Sequence, residues 1–369
     1  MTGLGDRYYP PIHPSYCGTV HPIYPSTHPL ILRWYSPPHP PIHPSTHSPI
    51  HPSTLFLLLA AYLDYLIGDP WGWLHPVQVM GWTIDLFTQT TLKYVKSPYL
   101  RRLAGVVLCW GLIFGTGAIT WLLIHLCESI HPWLSIAVRS IALASCFAGR
   151  SLRRAAEDVL TAIASADLEL ARSKLSMYVG RDTDKLTIPE IHRAILETVT
   201  ENAIDGVMAP LFYAIIGAFI PAIGAVPLAM AYKAASTLDS MVGYRREPYT
   251  DIGWCSAKSE DILTWLPCRL SVLTLSLISG KPLTVWRICF RDAVKDPSPN
   301  SGWSECAYAV ALGVQVGGIN YYKGQVQEKP LLGDDLQPIT ADIIQQALRL
   351  TRYSFLLWIG LGSIALSLG

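Results

Sequence analysis

The amino-acid sequence predicts an all-α, multi-pass integral membrane protein with polar cytoplasmic helical loops. Only 15% of its 369 residues are charged, and half are hydrophobic, whereas an average soluble domain has roughly 25% charged residues. Apolar segments recur along the chain, and the clearest is residues 103–126. The formal net charge of +1 provides no basic surface for nucleic acid. We therefore expect membrane lipid as a partner and no nucleic acid.

Residues 1–53 differ in composition from everything that follows them. Seven of the 11 His and 13 of the 28 Pro fall in this segment. Proline at this density excludes a continuous helix or a central strand. His-rich tracts can bind metal, but a passive extension accounts for the composition without a metal. We predict a disordered His/Pro-rich extension at 1–53 and an integral membrane domain at 54–369.

The apolar segments differ in how well they fit a membrane span, which needs about 20 residues. Residues 103–126 are long enough and uninterrupted. Residues 209–232 are long enough, but Pro221 and Pro227 interrupt them, so this segment is either one span or a hairpin that turns back. The shorter or interrupted segments fit spans, tilted helices or re-entrant segments; they are 55–68, 133–149, 266–279 and 353–368.

The distribution of basic residues predicts the orientation in the membrane. The connector 127–133 contains no Lys or Arg, whereas basic residues flank its hairpin at 93–102 and at 150–154. Such residues concentrate on the cytoplasmic side. We therefore expect the protein in the inner or plasma membrane of the cell. Both flanks and the polar region 150–208 should face the cytoplasm.

Acidic side chains cluster in the polar region just before the proline-interrupted segment. Thr187 and Glu190 form a capping-box pattern that predicts a helix start. Along this helix Glu197, Glu201 and Asp205 recur every fourth residue. Like charges at this spacing repel, and a hard cation such as Mg²⁺ would reverse the penalty. A solvated acidic helix face remains the alternative for the pattern by itself.

Further charged residues lie nearby in the sequence, and each group also has a structural explanation. Asn202 could assist a cation at the acidic helix, and the loop with Arg181 and Asp182 could hold an anion. The segment 232–269 carries Lys233, Asp239, Arg245 and Asp261 between two apolar segments. Mixed charge at this position is typical of interfacial anchoring, but it also suits a phosphate with Mg²⁺. The standard nucleotide-binding loops are absent from the sequence.

Four polar motifs, taken together, resemble the CobD/CbiB family of cobalamin biosynthesis. They are LDYLIGDPWGWLHPVQVMG (63–81), YVGRDTDKLTIPEIHRAILETVTENAIDGVMAPLFY (178–213), AYKAASTLDSMVGYRREPY (231–249) and SPNSGWSECAYAVALGVQVGGINYYKG (298–324). The resemblance runs from about residue 55 to the C-terminus. The chain departs from the family pattern at Ser236, Ser259 and Asp296, which we therefore do not assign to catalysis.

The resemblance implies an adenosylcobinamide-phosphate synthase, an ATP-dependent carbon–nitrogen ligase of the cell membrane. Such an enzyme joins adenosylcobyric acid, a corrinoid, to (R)-1-amino-2-propanol or its O-phosphate, with Mg²⁺ and ATP, and other corrinoid-pathway enzymes are possible partners. On this basis we assign catalysis to Glu201, Asp205, Asp239 and His75, and Mg²⁺ binding to Glu201, Asp205 and Asp261. Substrate or phosphate binding falls to Asp69, Arg181, Asp182, Asn202, Lys233, Arg245 and Asn300.

Two other functions fit parts of the sequence. A transporter is suggested by Asp64 and Arg139 within apolar segments and by the proline-interrupted segment. A non-catalytic membrane scaffold that gathers soluble corrinoid enzymes is the other alternative.

Overall fold

The computed structural model describes residues 52–68, 75–244 and 246–368. Helices dominate this part of the chain, together with one two-stranded antiparallel sheet. In order, the elements are α1 (Pro52–Leu66), α2 (Pro76–Tyr94), α3 (Pro98–Ile130), α4 (Pro132–Ala144), α5 (Gly149–Ala164), α6 (Leu168–Ser176), α7 (Ile188–Ala203), a π-helical turn (Ile204–Met208), α8 (Ala209–Ala218), α9 (Ala225–Val242), α10 (Trp254–Ile278), α11 (Pro282–Asp292), a 3₁₀ turn (Ala293–Lys295), α12 (Ser301–Leu312), β1 (Val316–Tyr322), β2 (Gln325–Leu332) and α13 (Ala341–Leu368).

Four helical stretches in the described part of the chain are long and apolar enough to cross a membrane. They are α3, the 132–164 stretch that contains α4 and α5, α10 and α13. Pro98 and Pro132 open α3 and α4, where the missing amide proton costs no helical hydrogen bond. These helices confirm the all-α membrane fold that the apolar segments predict.

The proline-interrupted segment is a hairpin and not a single span. Helix α8 ends at Ala218, the chain turns through residues 219–224, and α9 runs back along α8. A ten-residue helix extends about 15 Å, half of the roughly 30 Å hydrocarbon thickness. At the turn, a Cβ on Gly217 would lie 2.4 Å from the carbonyl oxygen of Gly224, so the close approach requires glycine. The indole of Trp121 in α3 donates a hydrogen bond to the Ala222 carbonyl at 3.1 Å.

The π-helical turn changes the register of the acidic helix. Thr187 and Glu190 form the predicted capping box at the start of α7. Regular helix ends at Ala203, however, and Asp205 lies in the π-helical turn. The uniform four-residue stack of Glu197, Glu201 and Asp205 is therefore wrong, because the wider turn rotates Asp205 relative to Glu201.

A β-hairpin interrupts the helical architecture near the C-terminus. Strands β1 and β2 pair in an antiparallel register, with Tyr322 opposite Gln325. Lys323 and Gly324 form the two-residue turn with φ of 53° and 76°, as expected for a type I′ connection. The carboxylate of Asp182 accepts hydrogen bonds from both turn amides, at 2.9 Å and 2.7 Å. The sequence analysis did not predict this hairpin.

The two charged residues that suggest a transporter have structural partners. Asp64 of α1 lies beside the N-terminus of α5, where its carboxylate accepts a hydrogen bond from the Arg150 amide at 3.4 Å. Arg139 in α4 pairs with Glu128 of α3 at 2.9 Å and bonds the Ser135 hydroxyl at 3.0 Å. These contacts stabilise the start of α5 and the contact between α3 and α4. The two charges are therefore explained without a transport function.

Candidate active site

Acidic side chains from the end of α7, the π-helical turn, α9 and α10 meet around Lys233. We call this group the carboxylate cluster; its members are Glu201, Asp205, Asp239, Glu260 and Asp261, with Lys233 as the cation. The α8–α9 hairpin creates the cluster, because it returns the chain to the level of the π-helical turn. Packing of α9 on α3 and α10 fixes the position of Lys233 and Asp239. The structure thus brings together two segments that the sequence analysis selected independently.

The electrostatics of the cluster favour protonated or cation-bound carboxyls. Burial raises the pKa of Asp205 well above its ordinary value; Glu260, Glu201 and Asp239 raise it further, and Lys233 opposes them. Burial, followed by Asp261 and Glu201, raises the pKa of Asp239 to about 6. Groups with perturbed pKa values concentrate at functional sites. The cluster therefore stores unfavourable charge that a bound cation would relieve.

Glu260 is a site residue that the sequence analysis did not select. Its carboxylate accepts a hydrogen bond from the Thr264 hydroxyl and faces the hydroxyl of Tyr232 at 3.5 Å. The Tyr232 and Thr264 hydroxyls are themselves 2.8 Å apart. The burial of Glu260 at 7% exposure within an apolar helix was the signal for a role.

Asn300 connects the loop before α12 to the cluster. Its amide nitrogen donates to the Asp261 carbonyl at 2.9 Å, and its amide oxygen accepts from Arg269 at 3.2 Å. The Asp261 carboxylate is 3.4 Å from the ammonium of Lys258. Asn300 is buried, and it thus positions the first turns of α10, on which Glu260 and Asp261 lie.

A second set of buried charges lies beside Glu201. Arg181 forms an ion pair with Glu197 and donates to the Asn320 side chain at 2.7 Å. Glu305 pairs with Lys329 of β2 at 3.2 Å. Burial raises the pKa of Glu305 to about 8 despite Lys329, and Glu201 adds to the shift. The sequence analysis missed Glu305, whose only signal is a lone acid in the apolar run 303–314.

The remaining predicted residues have separate surroundings. Arg181 and Asp182 bind Glu197 and the β-hairpin turn, respectively, so both are committed to protein partners. The Asn202 amide donates to the Thr198 carbonyl of its own helix at 2.9 Å. His75 accepts from the Val77 amide at 3.3 Å and caps α2. Asp69 and Arg245 lie outside the described residues.

The donor set of the cluster suits Mg²⁺ without enclosing it. Carboxylate oxygens are the ligands that this hard cation prefers. In the described ranges, no group of three or more His, Cys, Asp or Glu side chains is arranged to hold a metal ion. Mg²⁺ usually keeps several waters and binds one or two carboxylates together with substrate phosphates. That open form of coordination needs no more than two of the predicted ligands Glu201, Asp205 and Asp261, and the assignment of Mg²⁺ to them stays a prediction.

Comparison with known proteins identifies the family. A family model described as CobD/Cbib protein matches residues 57–351. The chain belongs to the CobD/CbiB family. The carboxylate cluster, the β-hairpin and Asn300 all lie inside the part of the chain that matches this family.

Named relatives extend the CobD/CbiB match over most of the chain. The chain is 52% identical to "Cobalamin biosynthesis protein CobD" of Synechocystis sp. over 303 residues, which cover 82% of this chain and 89% of that protein. It is 42% identical to "Cobalamin biosynthesis protein CbiB" of Salmonella arizonae over 314 residues, covering 84% and 94%. No solved structure matches the chain.

Proposed function

We propose that this CobD/CbiB family member is the adenosylcobinamide-phosphate synthase of cobalamin biosynthesis. It forms an amide between a carboxyl group of adenosylcobyric acid and the amine of (R)-1-amino-2-propanol or its O-phosphate, and ATP is converted to ADP and phosphate. The observation that carries the proposal is the family match across residues 57–351, with relatives named as cobalamin biosynthesis proteins.

The carboxylate cluster is the proposed active site. The ammonium of Lys233, opposite several acids, would hold an anionic oxygen of the carboxyl or phosphate substrate. Asp239, with a pKa of about 6, is ionised at neutral pH and suited to accept the proton that the attacking amine must lose. The hydroxyl groups of Tyr232 and Thr264 donate hydrogen bonds to Glu260 and so hold its carboxylate within the cluster.

Mg²⁺ and ATP complete the proposed site. Glu201, Asp205 and Asp261 would hold the cation. When bound, Mg²⁺ would neutralise charge on the phosphates of ATP. Because the pKa of the proposed ligand Asp205 is raised, protons compete with the cation for its carboxylate, and cation binding should strengthen as the pH rises.

The proposed location is the cell membrane, with the active site on the cytoplasmic side. The basic flanks of α3 and α5 support this orientation. The α8–α9 hairpin brings Lys233 and Asp239 to the same side as Glu201. Soluble ATP, corrinoid and other corrinoid-pathway enzymes would then reach the site directly.

Reconstitution of the purified protein tests the proposal. The protein in detergent or nanodiscs receives adenosylcobyric acid, aminopropanol or its phosphate, and MgATP, and mass spectrometry follows the amide product and ADP. We expect product formation that depends on the protein, on ATP and on Mg²⁺. A folded sample without turnover on either amine would favour a scaffold, and corrinoid movement into sealed vesicles would favour a transporter.

A further inference from the structure

A cavity of about 420 Å³ lies between α1, the start of α5 and α13. This volume falls within the roughly 300–1,000 Å³ typical of small-molecule sites. The wall includes Asp64, Arg150, Arg153, Val207 and Arg352. Val207 follows Asp205 in the π-helical turn, but none of the members of the carboxylate cluster lines this cavity.

Three half-buried guanidinium groups surround one tyrosine at the cavity rim. Arg150 and Arg153 donate to the carbonyl of Tyr65, at 3.0 Å and 3.2 Å. The guanidinium carbons of Arg153 and Arg352 lie 4.9 Å and 5.2 Å from the centre of the Tyr65 ring. The lining contains a single acid, Asp64, which caps α5. The rim therefore carries surplus positive charge.

The rest of the cavity wall is apolar and opens to the outside of the helix bundle. Leu58 and Tyr62 of α1 and Leu356 of α13 line it with exposed fractions of 48%, 60% and 54%. In a membrane protein such exposed apolar side chains face hydrocarbon, not water. Phe355 and Ile359 close the inner side of the cavity.

The position of the arginines along α13 places the rim at the headgroup level. Arg349 and Arg352 end the polar part of this helix, and residues 353–368 contain no charged side chain. Arg150 and Arg153 belong to the basic flank that indicates the cytoplasmic side. The cationic rim thus lies at the cytoplasmic interface, and the apolar wall continues into the bilayer.

We propose that this cavity binds an anionic glycerophospholipid of the cytoplasmic leaflet. The guanidinium groups of Arg150, Arg153 and Arg352 hold the headgroup phosphate, and Leu58, Tyr62 and Leu356 contact an acyl chain. Charge complementarity and the amphipathic shape of the cavity favour this occupant. The cationic headgroup of a zwitterionic lipid would be repelled by the arginines of the rim, and a free phosphate would leave the apolar wall without a contact. The proposal is independent of the catalytic function.

Lipid titration of the purified full-length protein tests this site. Native mass spectrometry measures the affinity for phosphatidylglycerol and for phosphatidylcholine, for wild type and for an Arg153→Gln/Arg352→Gln double variant. We expect wild type to prefer phosphatidylglycerol and the double variant to lose roughly 30-fold in its affinity, the loss expected for two arginines at a membrane surface. Arg349→Gln is the matched control, because Arg349 lies on the same helix but faces a different surface, beside Ser279 and Gln346; its affinity should stay within about twofold of wild type.

Further measurements distinguish the lipid from other occupants of the cavity. Leu356→Trp leaves the three arginines in place and fills the apolar wall, so it should weaken phosphatidylglycerol binding without changing the secondary structure; it also replaces the double variant if that protein misfolds. Equal binding of the two lipids would overturn the proposal. Full competition by millimolar inorganic phosphate would also overturn it, because the site would then recognise phosphate alone.

Discussion

At the residue scale, the main feature is that acidic side chains outnumber their cationic partners around Lys233. Asp261 has Lys258, whereas Asp205 and Asp239 are dominated by burial and by other carboxylates. A folded protein that keeps such groups ionised loses stability. A bound cation and substrate would offset this cost, as expected for a binding site.

Asp239→Asn should stabilise the protein without substrates and reduce turnover. The pKa of Asp239 is raised from 3.8 to about 6, so the folded state binds this proton more tightly than the unfolded state does. The associated stability is complete below pH 4 and is lost as the pH rises through about 6. The variant removes a cost of at most about 3 kcal/mol at pH 7.5.

Thermal unfolding followed by tryptophan fluorescence at pH 4.5 and pH 7.5 measures this effect. The melting temperature of the variant should exceed that of wild type at pH 7.5, and the difference should shrink at pH 4.5. Asp335→Asn, at an exposed loop position, is the control and should change neither value. Identical pH profiles for wild type and Asp239→Asn would contradict the assigned cause.

Sequence reasoning selected most of the cluster but could not identify all of its members. Acid spacing and charge between apolar segments pointed to Glu201, Asp205, Lys233 and Asp239, because such residues are costly near a membrane without a role. Glu260 was the member not selected, because its contact with the Tyr232 hydroxyl comes only from the fold. In the second set of buried charges, Glu305 and Lys329 lie in different elements, and only the fold shows that they form a pair. Asn202 looked like a ligand by adjacency, but its amide bonds its own helix.

At the element scale, the α8–α9 hairpin and the π-helical turn determine where the acids lie. Pro221 and Pro227 indicated an interruption, but proline alone does not distinguish a kinked span from a reversal. The tight contact between Gly217 and Gly224 allows the reversal. The β-hairpin was missed because Gly317, Gly318 and Pro330 obscure the alternation of apolar and polar residues along its strands.

Gly217→Ala should destabilise the hairpin and lower activity. The added Cβ would lie 2.4 Å from a backbone oxygen, so α8 and α9 must separate, at a cost of about 1–3 kcal/mol. Because α9 carries Lys233 and Asp239, turnover should fall together with the melting temperature. Gly111→Ala in α3, where a Cβ meets nothing within 4 Å, is the matched control. Equal behaviour of the two variants would argue against a tightly packed hairpin.

At the scale of the whole molecule, the long apolar helices and the α8–α9 hairpin together determine where the polar segments of the chain lie. The family assignment and the helical membrane fold were both predicted from sequence and are confirmed. The predicted extension at 1–53 falls almost entirely outside the described residues, so it stays a prediction. The reversal could not be read from hydropathy, because the apolar segment 209–232, which holds α8 and the first part of α9, is as long as a single span.

Labelling with a membrane-impermeant maleimide tests the predicted orientation. Ser240→Cys, near the end of α9, should react only from the cytoplasmic side, and Ser129→Cys, at the end of α3, only from the outside. Both positions are exposed. The described cysteines are buried, so Cys17→Ser provides a background of low reactivity. Labelling of Ser240→Cys from the outside would contradict the α8–α9 hairpin, and labelling of Ser129→Cys from the cytoplasmic side would contradict the predicted orientation of α3.

Turnover by cluster variants tests the central claim most directly, namely that these carboxylates form the active site of an amide-forming enzyme. Rates of amide formation are compared for wild type, Glu201→Gln, Asp205→Asn and the exposed control Glu328→Gln, all with verified folding. We expect losses of at least about 100-fold for the two cluster variants, a typical effect of removing a positioned acid or base, and none for the control. Wild-type turnover by folded Glu201→Gln and Asp205→Asn would contradict the account.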